Sequence, residues 1–167
     1  MSQEHPYNIL FLCTGNSARS VLAEAYLNST AATRFHAYSA GSHPKGAIHA
    51  LTLDTLRIAH LPVWGLRSKS WDEFAQADAP KMDFVITVCD SAAGEVCPIW
   101  PGQPITAHWS FPDPAAFEGP EVEQRAFFLD VFRQIRTRLD LFRNLPIARL
   151  GRLSLKREID EIGQKPG

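Results

Sequence analysis

Residues 7–20 read Tyr7-Asn8-Ile9-Leu10-Phe11-Leu12-Cys13-Thr14-Gly15-Asn16-Ser17-Ala18-Arg19-Ser20, and this stretch decides the fold. Its first six residues form a nearly continuous apolar run, the pattern of a central parallel strand covered on both faces. A polar, glycine-containing turn follows. Leu22, Ala25 and Tyr26 then recur at helical spacing, which predicts a helix over Ser17 to Asn28 with those three residues inward.

The same alternation continues outward from this unit. Phe35-His36-Ala37-Tyr38-Ser39 reads as a second strand stopped by Ala40-Gly41. A helix is expected over His49 to Ala59, with Leu53, Leu56 and Ile58 buried. Strands are expected over Asp83 to Val88 and over Ile105 to Trp109. The longest helical pattern runs from Glu121 to Arg143, with Phe128, Phe132, Ile135, Leu139 and Phe142 spaced by four and three. Leu155, Ile159 and Ile162 repeat that spacing in a last helix. No repeat, low-complexity tract or linker divides the chain, so residues 1–167 are expected to form one domain. Strand–helix alternation implies an α/β fold of three layers, α/β/α, around a parallel sheet. Sites in such sheets lie beyond the carboxyl ends of the strands, where the turn after Leu12 falls.

That turn has the parts of an oxyanion receptor. Successive backbone N–H groups over Thr14, Gly15, Asn16, Ser17 and Ala18 can converge on one point as an anion-binding nest. The N-terminus of the helix that follows adds a partial positive charge, and Gly15 allows backbone angles that other residues resist. Arg19 offers a planar fork of donors suited to a tetrahedral oxyanion. Cys13 lies where this potential favours a thiolate. A Cys-x5-Arg spacing alone is a weak pattern, equally readable as a strand-capping thiol and a solvated arginine. The glycine, the Ser20 after Arg19, the strand before and the helix after favour the activated nucleophile.

Composition sets the remaining bounds. The chain has 167 residues, 45% hydrophobic and 21% charged, with a formal net charge of −1. Nothing in that balance calls for nucleic acid or an anionic membrane surface. No apolar run approaches the ~20 residues of a membrane span. The start, Met-Ser-Gln-Glu-His-Pro, lacks the pattern of a signal peptide, so a cytoplasmic location is expected. Three cysteines, Cys13, Cys89 and Cys97, do not suit a secreted disulfide framework.

Cys13-Thr14-Gly15-Asn16-Ser17-Ala18-Arg19-Ser20 resembles the phosphate loop of low-molecular-weight tyrosine phosphatases and of the arsenate reductases that share their fold. Ser39-Ala40-Gly41 and Asp113-Pro114 match in family order, and the resemblance covers roughly residues 7 to 143. It implies a four-stranded parallel sheet. It also implies that Asp113, in Trp109-Ser110-Phe111-Pro112-Asp113-Pro114, is the general acid that protonates the leaving oxygen; by its own sequence an Asp-Pro is more often a turn former. Some members hold potassium beneath the loop. Here Lys69 and Ser70 stand where such a member has a carboxylate, and potassium dependence is not carried over.

Cys89-Asp90-Ser91-Ala92-Ala93-Gly94-Glu95-Val96-Cys97 decides between branches. No histidine sits at ligand spacing to complete a zinc site with these two thiols, and no metal or cofactor is expected. They are either core thiols or partners in disulfide exchange. The resemblance to thioredoxin-coupled arsenate reductases is closest here, since those enzymes carry one cysteine at this strand end and another shortly after. Phosphatases of the fold lack the pair and place an aromatic residue where this chain has Ala115 and Ala116.

The resemblance therefore implies an enzyme of arsenic detoxification. Arsenate would be bound by residues 14–20 and attacked by Cys13; Cys89 and then Cys97 would relay the disulfide to thioredoxin, or to glutaredoxin with glutathione. Two other readings stay open: a tyrosine phosphatase using Cys13, Arg19 and Asp113, and a non-catalytic oxyanion-binding or redox-sensing module.

Overall fold

The computed structural model describes residues 5–90 and 100–164. Strand β1 spans Tyr7–Cys13, β2 Phe35–Gly41, β3 Phe84–Thr87 and β4 Ile105–His108. Helix α1 spans Arg19–Thr30, α2 Ala50–Ile58, α3 Glu121–Arg143 and α4 Arg152–Gly163. All four strands are parallel, in the order β2-β1-β3-β4.

β1 lies between β2 and β3, and its side chains alternate between two apolar environments. Ile9, Phe11 and Cys13 join one core with α1, α3 and α4. Leu10 and Leu12 join another with Ala40, Phe74, Met82, Val85 and Trp100, under the short 3-10 turn Trp71–Phe74. A strand buried on both sides needs apolar residues at every position, so its sequence shows a run and not an alternation.

Phe142, near the end of α3, ties the larger core together. Its ring lies 5.2 Å from Phe35, 5.2 Å from Phe84 and 6.0 Å from Trp109, joining β2, β3 and the end of β4. Truncating such a residue typically costs about 3–5 kcal/mol. Trp109 also donates its indole N–H to the Ile159 carbonyl, which pins α4 to the edge of the sheet.

The chain leaves β1 toward β2 on one side and later returns to β3 on the other. That reversal opens a crevice at the carboxyl end of β1, the usual ligand position in open parallel sheets. The turn after Cys13 lies in it.

Several boundaries differ from the sequence expectation. β2 runs two residues further, to Gly41, because Ala40 and Gly41 still pair with Leu12 and Cys13. α1 begins at Arg19 and not at Ser17, since Ala18, at φ −138° and ψ −84°, lies outside helical backbone angles. Ile58 is 52% exposed, and Leu53 is only half-buried; Leu51, Thr52, Thr55 and Leu56 make the inner face of α2. Helix α3 has the bounds its periodicity predicts.

Candidate active site

The turn from Cys13 to Arg19 is held from outside by its carbonyls. Ser42, His43, Lys45 and His49 donate their backbone N–H groups to the carbonyls of Cys13, Thr14, Gly15 and Ser17, at 2.9–3.3 Å. The hydroxyls of Ser68 and Thr52 add bonds to the Gly15 and Ser17 carbonyls. With the carbonyls bound outward, the opposite side of the loop faces a pocket of about 260 Å³. Residues 13–19, His43, Lys45, Asp113 and Ala115 line it. Ala18 precedes the first residue of α1 and has no side-chain oxygen to cap it, which leaves the first-turn N–H groups available to an anion.

Gly41 makes this packing feasible. A Cβ there would lie 2.4 Å from the Thr14 carbonyl oxygen and 3.0 Å from the Asn16 side chain. Any other residue would push the loop away from β2.

Cys13 is 3% exposed at the bottom of the pocket. Its sulfur lies 2.9 Å from the Ser20 hydroxyl and accepts the Asn16 backbone N–H at 3.2 Å. Burial pushes the thiol above its ordinary value, and the nearby Cys89 thiol adds to that push. The Ser20 hydroxyl and the backbone N–H groups of Ser20 and Asn16 pull it down. The donors on the loop thus oppose the upward push of burial at the sulfur.

Arg19 closes one side. Its guanidinium donates to the Phe111 carbonyl at 3.1 Å and lies 3.5 Å from the Asp113 carboxylate. Asp113 also accepts the Ala115 N–H at 3.0 Å, which fixes the carboxylate as the cap of the short turn Pro114–Ala116. Asp113 therefore forms the turn that its Asp-Pro sequence suggests and still lines the pocket.

Cys89 follows β3 and is 3% exposed. Its sulfur lies 3.7 Å from the Thr14 hydroxyl, so the structure brings it against the Cys13 loop. The next residue, Asp90, is bound by His108 Nε2 at 2.8 Å, while His108 Nδ1 meets the Thr87 hydroxyl at 2.8 Å. These contacts anchor the chain just after Cys89, and the imidazole and Ser110 hold the Asp90 carboxyl below the usual range. Cys97 and the segment before it lie outside the described residues.

Beneath the loop runs a polar network. The Asn16 amide donates to Ser20 at 2.9 Å and to Ser39 at 3.0 Å, and Ser39 donates to Glu24 at 2.5 Å. The Lys69 ammonium lies 3.9 Å from that Glu24 carboxylate and donates to the Arg67 carbonyl at 3.1 Å. A potassium ion does not fit this set, because the Lys69 ammonium already faces Glu24, its nearest carboxylate.

His43 and Lys45 line the pocket, and His49 lies beside the loop it holds, although no sequence pattern marks them. Lys45 packs its stem over Gly15, where a Cβ would meet its carbons at 3.2–3.5 Å. His49 caps α2 by accepting the Leu51 N–H at Nδ1, and its ring lies 5.0 Å from Phe128. Burial, then the nearby Lys45 charge, lowers its pKa, with Asp113 opposing.

Residues 8–152 match the family model described as low molecular weight phosphotyrosine protein phosphatase. An arsenate reductase of Bacillus licheniformis is 37% identical over 134 residues, which takes in 80% of this chain and 93% of that protein. A solved arsenate reductase from Archaeoglobus fulgidus is 26% identical, with a TM-score of 0.58, over 77% of this chain and 96% of that one. The thioredoxin-dependent arsenate reductase of Corynebacterium glutamicum shares the fold at 24% identity and a TM-score of 0.57, with 83% of this chain covering 63% of that longer one. With its loop, sheet order and cysteine placement, the chain belongs to the low molecular weight phosphotyrosine protein phosphatase family, and it is similar within that family to arsenate reductases.

Proposed function

We propose that this protein reduces arsenate to arsenite in the cytoplasm, as a single domain serving arsenic detoxification. The observation that carries the reading is a second buried thiol, Cys89, held 3.7 Å from Thr14 in the loop of the nucleophile. A phosphatase needs one thiol at this place; a reductase needs two.

The chemistry follows from the arrangement. Residues 14–20 and Arg19 bind the oxyanion, and the Cys13 sulfur attacks arsenic(V). Asp113 supplies a proton to the departing oxygen, which leaves as water. Cys89 then attacks the Cys13 sulfur. A sulfur–sulfur bond forms, the sulfur–arsenic bond breaks, and its electron pair stays on arsenic, which leaves as arsenite. Cys97 attacks Cys89, frees Cys13 and gives a Cys89–Cys97 disulfide. An external dithiol, for which thioredoxin is the first candidate and glutaredoxin with glutathione the second, reduces that disulfide.

NADPH consumption with arsenate tests this, run with thioredoxin and its reductase and separately with glutaredoxin and glutathione. Arsenite should accumulate with NADPH oxidised in equal amount. No arsenite under either system would sink the reading.

A slow phosphatase activity also fits, since Cys13, Arg19 and Asp113 suffice for a phosphate ester. Ala115 lines the pocket and offers no flat wall for a phenol ring, which favours a small inorganic substrate.

A further inference from the structure

Lys69 is the one buried lysine among the described residues, 7% exposed, and it is buried beneath the oxyanion loop. Burying an ammonium is costly unless it does electrostatic work. Its partner, Glu24, is itself almost wholly covered. Arg67, the other cation near that carboxylate, is committed to Glu73 through two bonds of 2.7 and 2.9 Å. Lys69 is thus the nearest counter-charge to Glu24.

The polarity of the network leads from this pair to the nucleophile. The Lys69 backbone N–H donates to Asn16 Oδ1 at 2.8 Å, which fixes the orientation of the Asn16 amide. Both Asn16 amide hydrogens are then used, one on Ser39 and one on Ser20. An ionised Glu24 accepts only, so Ser39 must spend its hydroxyl hydrogen there and accept from Asn16. Ser20 accepts from Asn16 and keeps its own hydrogen for Cys13, 2.9 Å away. With this polarity one Asn16 hydrogen and the Ser20 hydroxyl run in sequence toward the sulfur, while the other Asn16 hydrogen and the Ser39 hydroxyl are held on the Glu24 side. Burial raises the Glu24 pKa, and Lys69 is the largest influence opposing that rise. A protonated Glu24 could donate to Ser39 and would release the order at its far end.

We propose that the Lys69 ammonium is a built-in cation of the loop. It keeps the chain Glu24–Ser39–Asn16–Ser20 polarised toward Cys13, and it makes the protein independent of added monovalent cations. Lys69 is a positioning residue, acting through Glu24. The proposal rests on the reading of Cys13 as the nucleophile and not on the identity of the substrate.

The test is the iodoacetamide alkylation rate of Cys13 against pH, in choline, sodium or potassium chloride, assigned by peptide mapping. The parent should give one profile in all three salts. Lys69→Met, which keeps the stem and removes the charge, should slow alkylation at neutral pH about tenfold, the effect of one unit in thiol pKa. Lys69→Ala leaves room for a replacement cation, and potassium or methylammonium should recover most of its loss where choline does not. Lys69→Met combined with Glu24→Gln needs no counter-charge and should alkylate faster than Lys69→Met alone. A potassium-activated parent, a Lys69→Met profile matching the parent, or equal rates for the single and double variants would each overturn the proposal. Because alkylation needs no arsenate, these outcomes are separate from a failure of arsenate reduction.

Discussion

The hydroxyl of Ser20 lies 2.9 Å from the sulfur of Cys13, and the Asn16 amide, 2.9 Å from the same hydroxyl, leaves that hydroxyl's hydrogen for the sulfur. Ser20 is therefore the side chain that most lowers the Cys13 pKa, against a larger upward push from burial.

Ser20→Ala removes that donor and should raise the Cys13 pKa further. The reactive species is the thiolate, so below the pKa the alkylation rate falls tenfold for each unit of rise. We expect a loss of about tenfold near neutrality, recovered as pH climbs through the new pKa. An alkylation profile equal to the parent's would assign the control of Cys13 to the backbone N–H groups alone.

Asp113 both caps the Pro114–Ala116 turn and faces Arg19. Asp113→Asn keeps an oxygen to accept the Ala115 N–H, so the turn should persist while the proton is lost. Single-turnover arsenite release should slow by ~100-fold or more, the usual scale for general acid catalysis. Unchanged release would reduce Asp113 to its turn-forming role.

Lys45 lines the pocket with its stem across Gly15, and among the described residues it forms no ion pair. Arg19, by contrast, already faces Asp113. Lys45→Met should raise the concentration of arsenate or phosphate that half-protects Cys13 from iodoacetamide, by about fivefold to tenfold for one partly screened charge pair. Lys45→Arg should stay near the parent. Equal protection in parent and Lys45→Met would leave Lys45 a solvated rim residue.

The parts of this site legible in the sequence are those whose signal is local. The run Ile9-Leu10-Phe11-Leu12 is apolar because both faces of β1 are covered, and the turn after it carries its chemistry in consecutive residues. Helix α3 was equally plain, because its inner face repeats over six turns. The missed features depend on contacts distant in sequence. Gly41 reads as a strand stop, yet it pairs with Cys13 as the last residue of β2, and it is glycine because the Thr14 carbonyl leaves no room for a side chain. His43 and Lys45 belong to the pocket only because the segment after β2 binds the loop's carbonyls. Ile58 is the last residue of α2, two past the buried Leu56, where helical spacing cannot tell a core from a solvated end. The opposition at Cys13 between burial and the loop donors is not legible either, because sequence shows the donors and not the depth of burial.

Whether Cys13 and Cys89 act as consecutive thiols in arsenate reduction is decided by Cys97→Ser without an external reductant. One round of chemistry should release about one arsenite per chain and leave Cys13 and Cys89 joined, a product that peptide mapping would show, because the thiol that resolves that bond is gone. Cys89→Ser should release little arsenite under the same conditions. Arsenite release by Cys97→Ser with both Cys13 and Cys89 left as free thiols would contradict the account, and so would full release by Cys89→Ser.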